Sequence, residues 1–268
     1  MRYRPVAHGL QPIAASEPGP LFRQVRRELQ RLIESGRYGP GEALPSETVI
    51  ADALGVSIGT LRKAVDELVH ENVLVRRQGK GTFVALHNDA RFLFQFFHVE
   101  PRGEFPTQGE LREQEYPHVD CVGFARARAD AGQAAALRVH PGEPIWRLDN
   151  RLSLGGRAVV HDQIAISAQL FSGLTERLYL ERSGTIYSLY QTHFGITVLR
   201  AHERARASAA SRETARILGV AEGTPMLEVH RLALTFGDKP VEYRVSTINT
   251  AAHDYVSLLA KQGMVVPN

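Results

Sequence analysis

Eight residues of this chain occur twice in recognisably the same form. Leu137-Arg138-Val139-His140-Pro141-Gly142-Glu143-Pro144 aligns with Leu218-Gly219-Val220-Ala221-Glu222-Gly223-Thr224-Pro225, 81 positions further on. Downstream, Arg151-Leu152-Ser153-Leu154 aligns with Arg231-Leu232-Ala233-Leu234 at 80, and Val160-His161 with Val241-Glu242 at 81, so one residue was gained or lost between copies. Self-similarity at a fixed spacing marks a duplicated supersecondary unit. Each copy reads helix, Gly-x-Pro turn, strand, turn, strand. Two copies are too few for a solenoid. They pair most simply as a pseudo-twofold antiparallel sheet carrying helices, a closed α+β domain.

The N-terminal third follows other rules. Residues 1–19 hold Pro5, Pro12, Pro18, Gly9 and Gly19 without periodicity and read as a flexible arm. From Pro20 on, Leu21, Val25, Leu29, Leu32 and Ile33 trace one face of a helix, closed by Gly36. Ser46 is a natural N-cap for a second helix with Val49, Ile50, Ala53 and Leu54 inward, and Gly55 ends it. Ser57 caps a third, with Leu61, Ala64, Val65, Leu68 and Val69 inward. The two-residue gap Gly55-Val56 matches a helix-turn-helix. Two short strands follow, Val73–Arg76 and Thr82–Leu86, joined by the basic turn Arg77-Gln78-Gly79-Lys80-Gly81. Three helices and a basic hairpin make a winged helix-turn-helix over 20–86. A linker spans 87–92, and the duplicated domain runs from 93 to 268.

Composition narrows the function. A formal charge of +3 and a pI near 9.1 permit a nucleic-acid partner but exclude a histone-like chain. With Cys121 alone, neither an internal disulfide nor a four-cysteine zinc site is possible. No apolar run reaches membrane-spanning length and no secretory leader opens the chain, so the expected location is the cytoplasm, with no membrane partner. There is no His-x-x-x-His and no Gly-x-Ser-x-Gly, and the expectation is no cofactor, no metal and no catalytic residue.

Pro20-Leu21-Phe22, Tyr38-Gly39-Pro40-Gly41, Leu44-Pro45-Ser46-Glu47, Leu54-Gly55-Val56-Ser57, Thr60-Leu61-Arg62 and Gly79-Lys80-Gly81-Thr82-Phe83-Val84 together resemble the GntR family of bacterial transcriptional regulators. The duplicated Gly-x-Pro turns, Arg151, Arg231 and the Glu242 segment resemble the UTRA effector domain of the HutC subfamily, which shares the chorismate lyase fold. The resemblance implies a homodimer on double-stranded operator DNA, released by a small-molecule effector. The competing class is an enzyme built on the chorismate-lyase-like domain.

The DNA-contact candidates are Ser46, Ser57, Thr60, Arg62, Lys63, Arg77, Gly79, Lys80 and Gly81. Arg62 and Lys63 lie near the start of the recognition helix, which enters the major groove, and an Arg fork fits guanine O6 and N7. Ser57 and Thr60 offer hydroxyls to phosphate, and the two wing glycines let the backbone approach closely. Thr48 and Ile58 stand where relatives usually carry Arg. Ile58 either meets a thymine methyl or is idle.

The resemblance places an effector among Arg151, His161, Glu242, Arg244 and Ser246. Asp149 and His161 stand where relatives often have Arg and a carboxylate, and that exchange with Arg151 and Arg244 points to an anionic ligand. Two plainer readings stand beside it: an ion pair between Arg151 and Glu242, and a hydrogen-bonded interior His161.

Overall fold

The computed structural model describes residues 10–13, 19–86, 98–103 and 116–257. The linker expected at 87–92 and most of the arm lie outside the described residues. Backbone packing divides the chain into two compact units. One is Met1–Asp89 with Arg177–Arg200 and Ala233–Val241; the other is Ala90–Glu176 with Ala201–Leu232 and Glu242–Asn268. The single boundary expected near residue 90 is thus crossed by two later segments.

In the first unit, α1 (Leu21–Glu34) buries Gln24, Val25, Leu29, Leu32 and Ile33. Leu21, expected inward, is 40% exposed, as suits a side chain in the first turn. Helix α2 (Glu47–Leu54) begins at Ser46, whose hydroxyl accepts the Val49 N–H at 3.4 Å, and stops at Gly55 in the left-handed conformation, φ 67°. It buries Ile50 and Leu54 as the apolar pattern leads one to expect, but adds Ala51 in place of Ala53 and leaves Val49 40% exposed. In an eight-residue helix this apolar, periodicity fits two stripes about equally, and packing on α3 chooses between them. Helix α3 (Ile58–His70) turns Leu61, Ala64, Val65 and Leu68 into the core, and Ser57 caps it by accepting the Thr60 N–H at 3.1 Å. Strands β1 (Leu74–Arg77) and β2 (Gly81–Val84) form the antiparallel wing, with Arg77 opposite Gly81.

Two pieces join this core from elsewhere in the sequence. The Ile13 N–H donates to the Leu54 carbonyl at 3.0 Å, and Leu10 and Ile13 pack on the core, so residues 10–13 are seated rather than loose. Gln191, in the helix Ile186–Phe194, is 2% exposed and donates its amide to the Ala85 carbonyl at 3.0 Å and to Thr197 Oγ1 at 3.2 Å.

The sheet contains β4 (His118–Arg128), β5 (Pro144–Leu154), β6 (Arg157–Ser167), β7 (Arg200–Ala209), β8 (Pro225–Leu234) and β9 (Pro240–Ile248), in the order β4-β5-β6-β9-β8-β7. That order is symmetric about the β6–β9 pair, as a duplication demands. The repeat is visible in individual bonds. Ala129 N–H donates to the Glu143 carbonyl and Gly142 N–H to the Ala129 carbonyl; Ala210 N–H to Thr224 and Gly223 N–H to Ala210 repeat them 81 residues later. Gly142 and Gly223 hold φ 81° and 82°, which a side chain would strain. Helices Ala131–Leu137 and Arg212–Leu218 start at equivalent caps, Asp130 and Ser211. Each copy also has a strand before its helix, β4 and β7, which the sequence alignment did not reach. A separate antiparallel pair, β3 (Val99–Pro101) and β10 (His253–Tyr255), completes the strands among the described residues.

Candidate functional site

The winged unit gathers cations around one carboxylate. Arg62 Nε lies 2.6 Å from Glu47 Oε2, and Arg76 reaches Glu47 Oε1 at 3.7 Å and Asp66 Oδ1 at 2.5 Å. Glu47 thereby ties α2, α3 and β1 and holds the exposed Arg62 in a defined direction. Its hydrogen bond and charge raise the Arg62 pKa further above an already basic value. Ser57 Oγ and Thr60 Oγ1 are 2.9 Å apart and bond each other. Lys63 is turned back onto α1, its Nζ 4.0 Å from the Phe22 ring centroid. Arg77 lies over the Phe83 ring at 4.8 Å. The wing turn closes through Lys80 N–H to the Arg77 carbonyl, with Gly79 at φ 69° and Gly81 at φ 111°. The DNA candidates therefore occupy three places: the starts of α2 and α3, and the wing. Ser46 and Ser57 are both engaged as caps, and Lys63 points toward α1.

Strand register sorts the effector candidates. Arg151 lies opposite His161, and His161 opposite Thr247. Asn150 lies opposite Asp162, and Asp162 opposite Ser246. Directly opposed residues share a face and neighbours alternate. Arg151 and His161 are therefore on one face, and Glu242, Arg244 and Ser246 on the other; the structure does not bring all five together.

On the first face Arg151 pairs with Asp120 rather than Glu242, at 2.9 and 3.2 Å to Oδ2. That hydrogen bond holds the Asp120 carboxyl below the usual carboxylate range. His161 is 1% exposed, with Nδ1 3.1 Å from Thr214 Oγ1 and Nε2 3.8 Å from Asp149 Oδ1, too far for a hydrogen bond. Nearby, Asp130, Arg147, Gln163 and Tyr243 border a cavity of about 350 Å³.

On the second face Arg244 is caught between two buried carboxylates. It donates to Glu242 at 3.0 and 3.2 Å and to Asp162 Oδ2 at 2.9 Å, and Ser246 Oγ donates to Asp162 Oδ1 at 2.5 Å. On the adjoining strand β8, Arg231 Nε donates to Glu203 Oε1 of β7 at 2.5 Å, and the Tyr255 hydroxyl donates to Glu203 Oε2. Burial pushes Glu203 up, but the Arg231 charge and the Tyr255 hydrogen bond outweigh it and hold the carboxyl below its ordinary range. Burial and the same bond push Tyr255 well up. Asp162, Arg231, Arg244, Ser246 and Tyr255, with His98 from beside β3, line a cavity of only about 20 Å³, room for a water molecule. Sequence reasoning missed Asp162, Glu203, Tyr255 and His98 here. Only the β6–β9 register reveals Asp162, and no local motif marks the others. Among the described residues no cluster of His, Cys, Asp or Glu is arranged to hold a metal ion, and no helix is long and apolar enough to cross a membrane.

Comparison with known proteins agrees with both halves. The UTRA domain model matches residues 113–254, and the model for bacterial regulatory proteins of the gntR family matches residues 21–84. The HTH-type transcriptional repressor NagR of Bacillus subtilis is 28% identical over 221 residues, 82% of this chain and 86% of NagR. The mannosyl-D-glycerate transport/metabolism system repressor MngR of Escherichia coli is 24% identical over 243 residues, 91% of this chain and 96% of MngR. A crystal structure of the ligand-binding domain of a protein assigned to the GntR-family transcriptional regulators, from Bordetella bronchiseptica, is 31% identical. It superposes with a TM-score of 0.55 over 62% of this chain and 98% of its own.

Proposed function

The chain belongs to the GntR family of bacterial regulatory proteins and carries a UTRA domain, and from that premise we propose how its two parts act. Members of this family are transcriptional regulators, not enzymes, and this chain is a DNA-binding, ligand-responsive one. Our reading is a cytoplasmic repressor that binds a palindromic operator as a homodimer, Arg62 entering the major groove and the Gly79-Lys80-Gly81 turn clamping phosphate. The effector favours one dimer geometry, and the half-site spacing is lost with the other.

The observation that carries the effector reading is the Arg231–Glu203–Tyr255 latch. Arg244 is matched by carboxylates that are 3% and 0% exposed and cannot leave without desolvated charge remaining behind. Arg231 is matched by Glu203, whose side chain is 25% exposed on the edge strand β7. An anionic ligand therefore competes at Arg231: it takes the guanidinium, Glu203 turns to water, and Tyr255 is released. We place the anion site at Arg231, which is buried and lines the small cavity, rather than at Arg151, whose side chain is 43% exposed. Calorimetry with a panel of organic acids, phosphorylated metabolites, amines and neutral sugars tests it. An acid or phosphate should bind wild type, lose affinity at least tenfold in Arg231→Gln, a differential near 1.4 kcal/mol, and bind normally in Arg151→Gln. Binding lost in Arg147→Ala but kept in Arg231→Gln would move the site to the 350 Å³ cavity and refute this reading. A fragment from about residue 90 onward should remain dimeric by light scattering; a monomer at micromolar concentration would refute dimerisation through this domain.

A further inference from the structure

Six large hydrophobic side chains stand exposed among the described residues, and Ile58 is one of them. It is the first residue of α3 and is 40% exposed. Arg62 follows it by four residues, so the two lie one above the other on the same stripe of the helix. That stripe runs along the edge of the buried face formed by Leu61, Ala64, Val65 and Leu68, and at the helix start it leaves Ile58 open to solvent. Water is a poor environment for an isoleucine here, and its exposure contributes nothing to the core.

Gly59 adds a second observation. Its backbone is helical, with no positive φ, and a Cβ built there would meet only Ser57 Oγ, at 3.9 Å. The protein therefore has room for a side chain at this position, and glycine is the poorest helix former after proline. No contact among the described residues therefore accounts for a glycine at this position. The N-terminal end of a recognition helix is the part that meets base edges, and the major groove offers one apolar feature there, the C5 methyl of thymine. The neighbouring cation does not replace such a contact, because a guanidinium reads hydrogen-bond acceptors rather than a methyl group.

We propose that Ile58 reads the C5 methyl of one thymine in each operator half-site, and that Gly59 clears the space in which the DNA approaches α3. This rests on α3 being the DNA-reading helix of the regulator described above, and adds to it the base that Ile58 selects. The first turn of the helix then reads by apolar contact, and Arg62 reads by hydrogen bonding one turn later.

The experiment first selects an operator from random duplexes with the full-length protein. Each thymine is then replaced in turn by deoxyuridine, which removes only the methyl. Wild type should lose about fourfold in affinity at one thymine per half-site, the effect of one buried methyl-sized group. Ile58→Ala should bind the thymine and uridine forms of that position equally and match wild type at every other position. Gly59→Ala should melt no lower than wild type yet bind every duplex more weakly. The proposal is overturned if Ile58→Ala keeps the full thymine preference, if wild type shows no methyl-sensitive position, or if Gly59→Ala binds like wild type. A wild-type protein that selects no duplex at all would instead overturn the regulator reading, so the two failures are distinct.

Discussion

Replacing Arg244 with Met tests whether the centre of the sheet is held by charge balance. Arg244 is 11% exposed and donates to Glu242 and Asp162, which are 0% and 3% exposed. Methionine fills similar volume, so cavity formation adds little. What remains is two buried carboxylates without their cation. Truncating one partner of such a cluster costs about 3–5 kcal/mol. At roughly 2–4 °C per kcal/mol for a domain of this size, the transition of the sheet-bearing unit should fall by about 6–20 °C. Scanning calorimetry of the full-length protein at pH 7.5 reads this directly, and the transition of the winged unit serves as internal reference. The triple variant Arg244→Met, Asp162→Asn, Glu242→Gln should recover most of the deficit, because no isolated charge remains buried. A single variant as stable as wild type, or a triple variant that recovers nothing, would refute the argument and return Arg244 to the pool of ligand-binding candidates.

Lys80→Ala should weaken binding to all duplexes and lower the slope of log K against log salt by about one unit, whereas Arg62→Ala should cost roughly 1–3 kcal/mol and relax one operator position; salt-titrated gel shifts separate them. Burial holds the His98 and His253 pKa values below the ordinary 6.5. A depressed folded-state pKa means the unfolded chain binds more protons below 6.5, so the stability they contribute is full above that pH and is lost as pH falls through the folded values. Melting temperatures of wild type and His98→Phe across that window should converge toward low pH, and parallel curves would refute it. Gln191→Leu removes the bonds to Ala85 and Thr197 and should cost about 1–3 kcal/mol in the first unit, visible as a lower melting transition.

The winged unit was legible because its signals are local. Ser46 and Ser57 cap, Gly55 breaks, and Gly79 and Gly81 turn, each within three residues of what it acts on. What escaped there depends on distant partners. Val49 is turned outward by how α2 seats on α3, and Lys63 is drawn to Phe22 in another helix. Likewise, nothing near Gln191 in sequence announces that its partner is the carbonyl of Ala85.

The effector face shows a sharper limit. A duplication tells which strands correspond, but side-chain direction depends on the parity of the offset, since a one-residue slip exchanges the two faces of a strand. The alignment matched Arg151 to Arg231 at 80 and His161 to Glu242 at 81. Pro144 and Pro225 fix the offset of β5 and β8 at 81, which makes Asn150, not Arg151, the counterpart of Arg231. In β6 and β9 the residues lining the small cavity are Val160 and Asp162 on one side, and Arg244, Ser246 and Ile248 on the other, all even-numbered. An even offset is required there, and at 80 the counterpart of Glu242 is Asp162. The change of parity falls between the paired strands, where β5 and β6 shift register at Leu152/Ser153, and where the turn after β8 contains Phe236–Asp238 while its counterpart after β5 is Gly155-Gly156. One residue, placed on the wrong side of that turn, was enough to move Arg151 and His161 to the opposite face and to hide Asp162, the carboxylate that Arg244 and Ser246 actually meet.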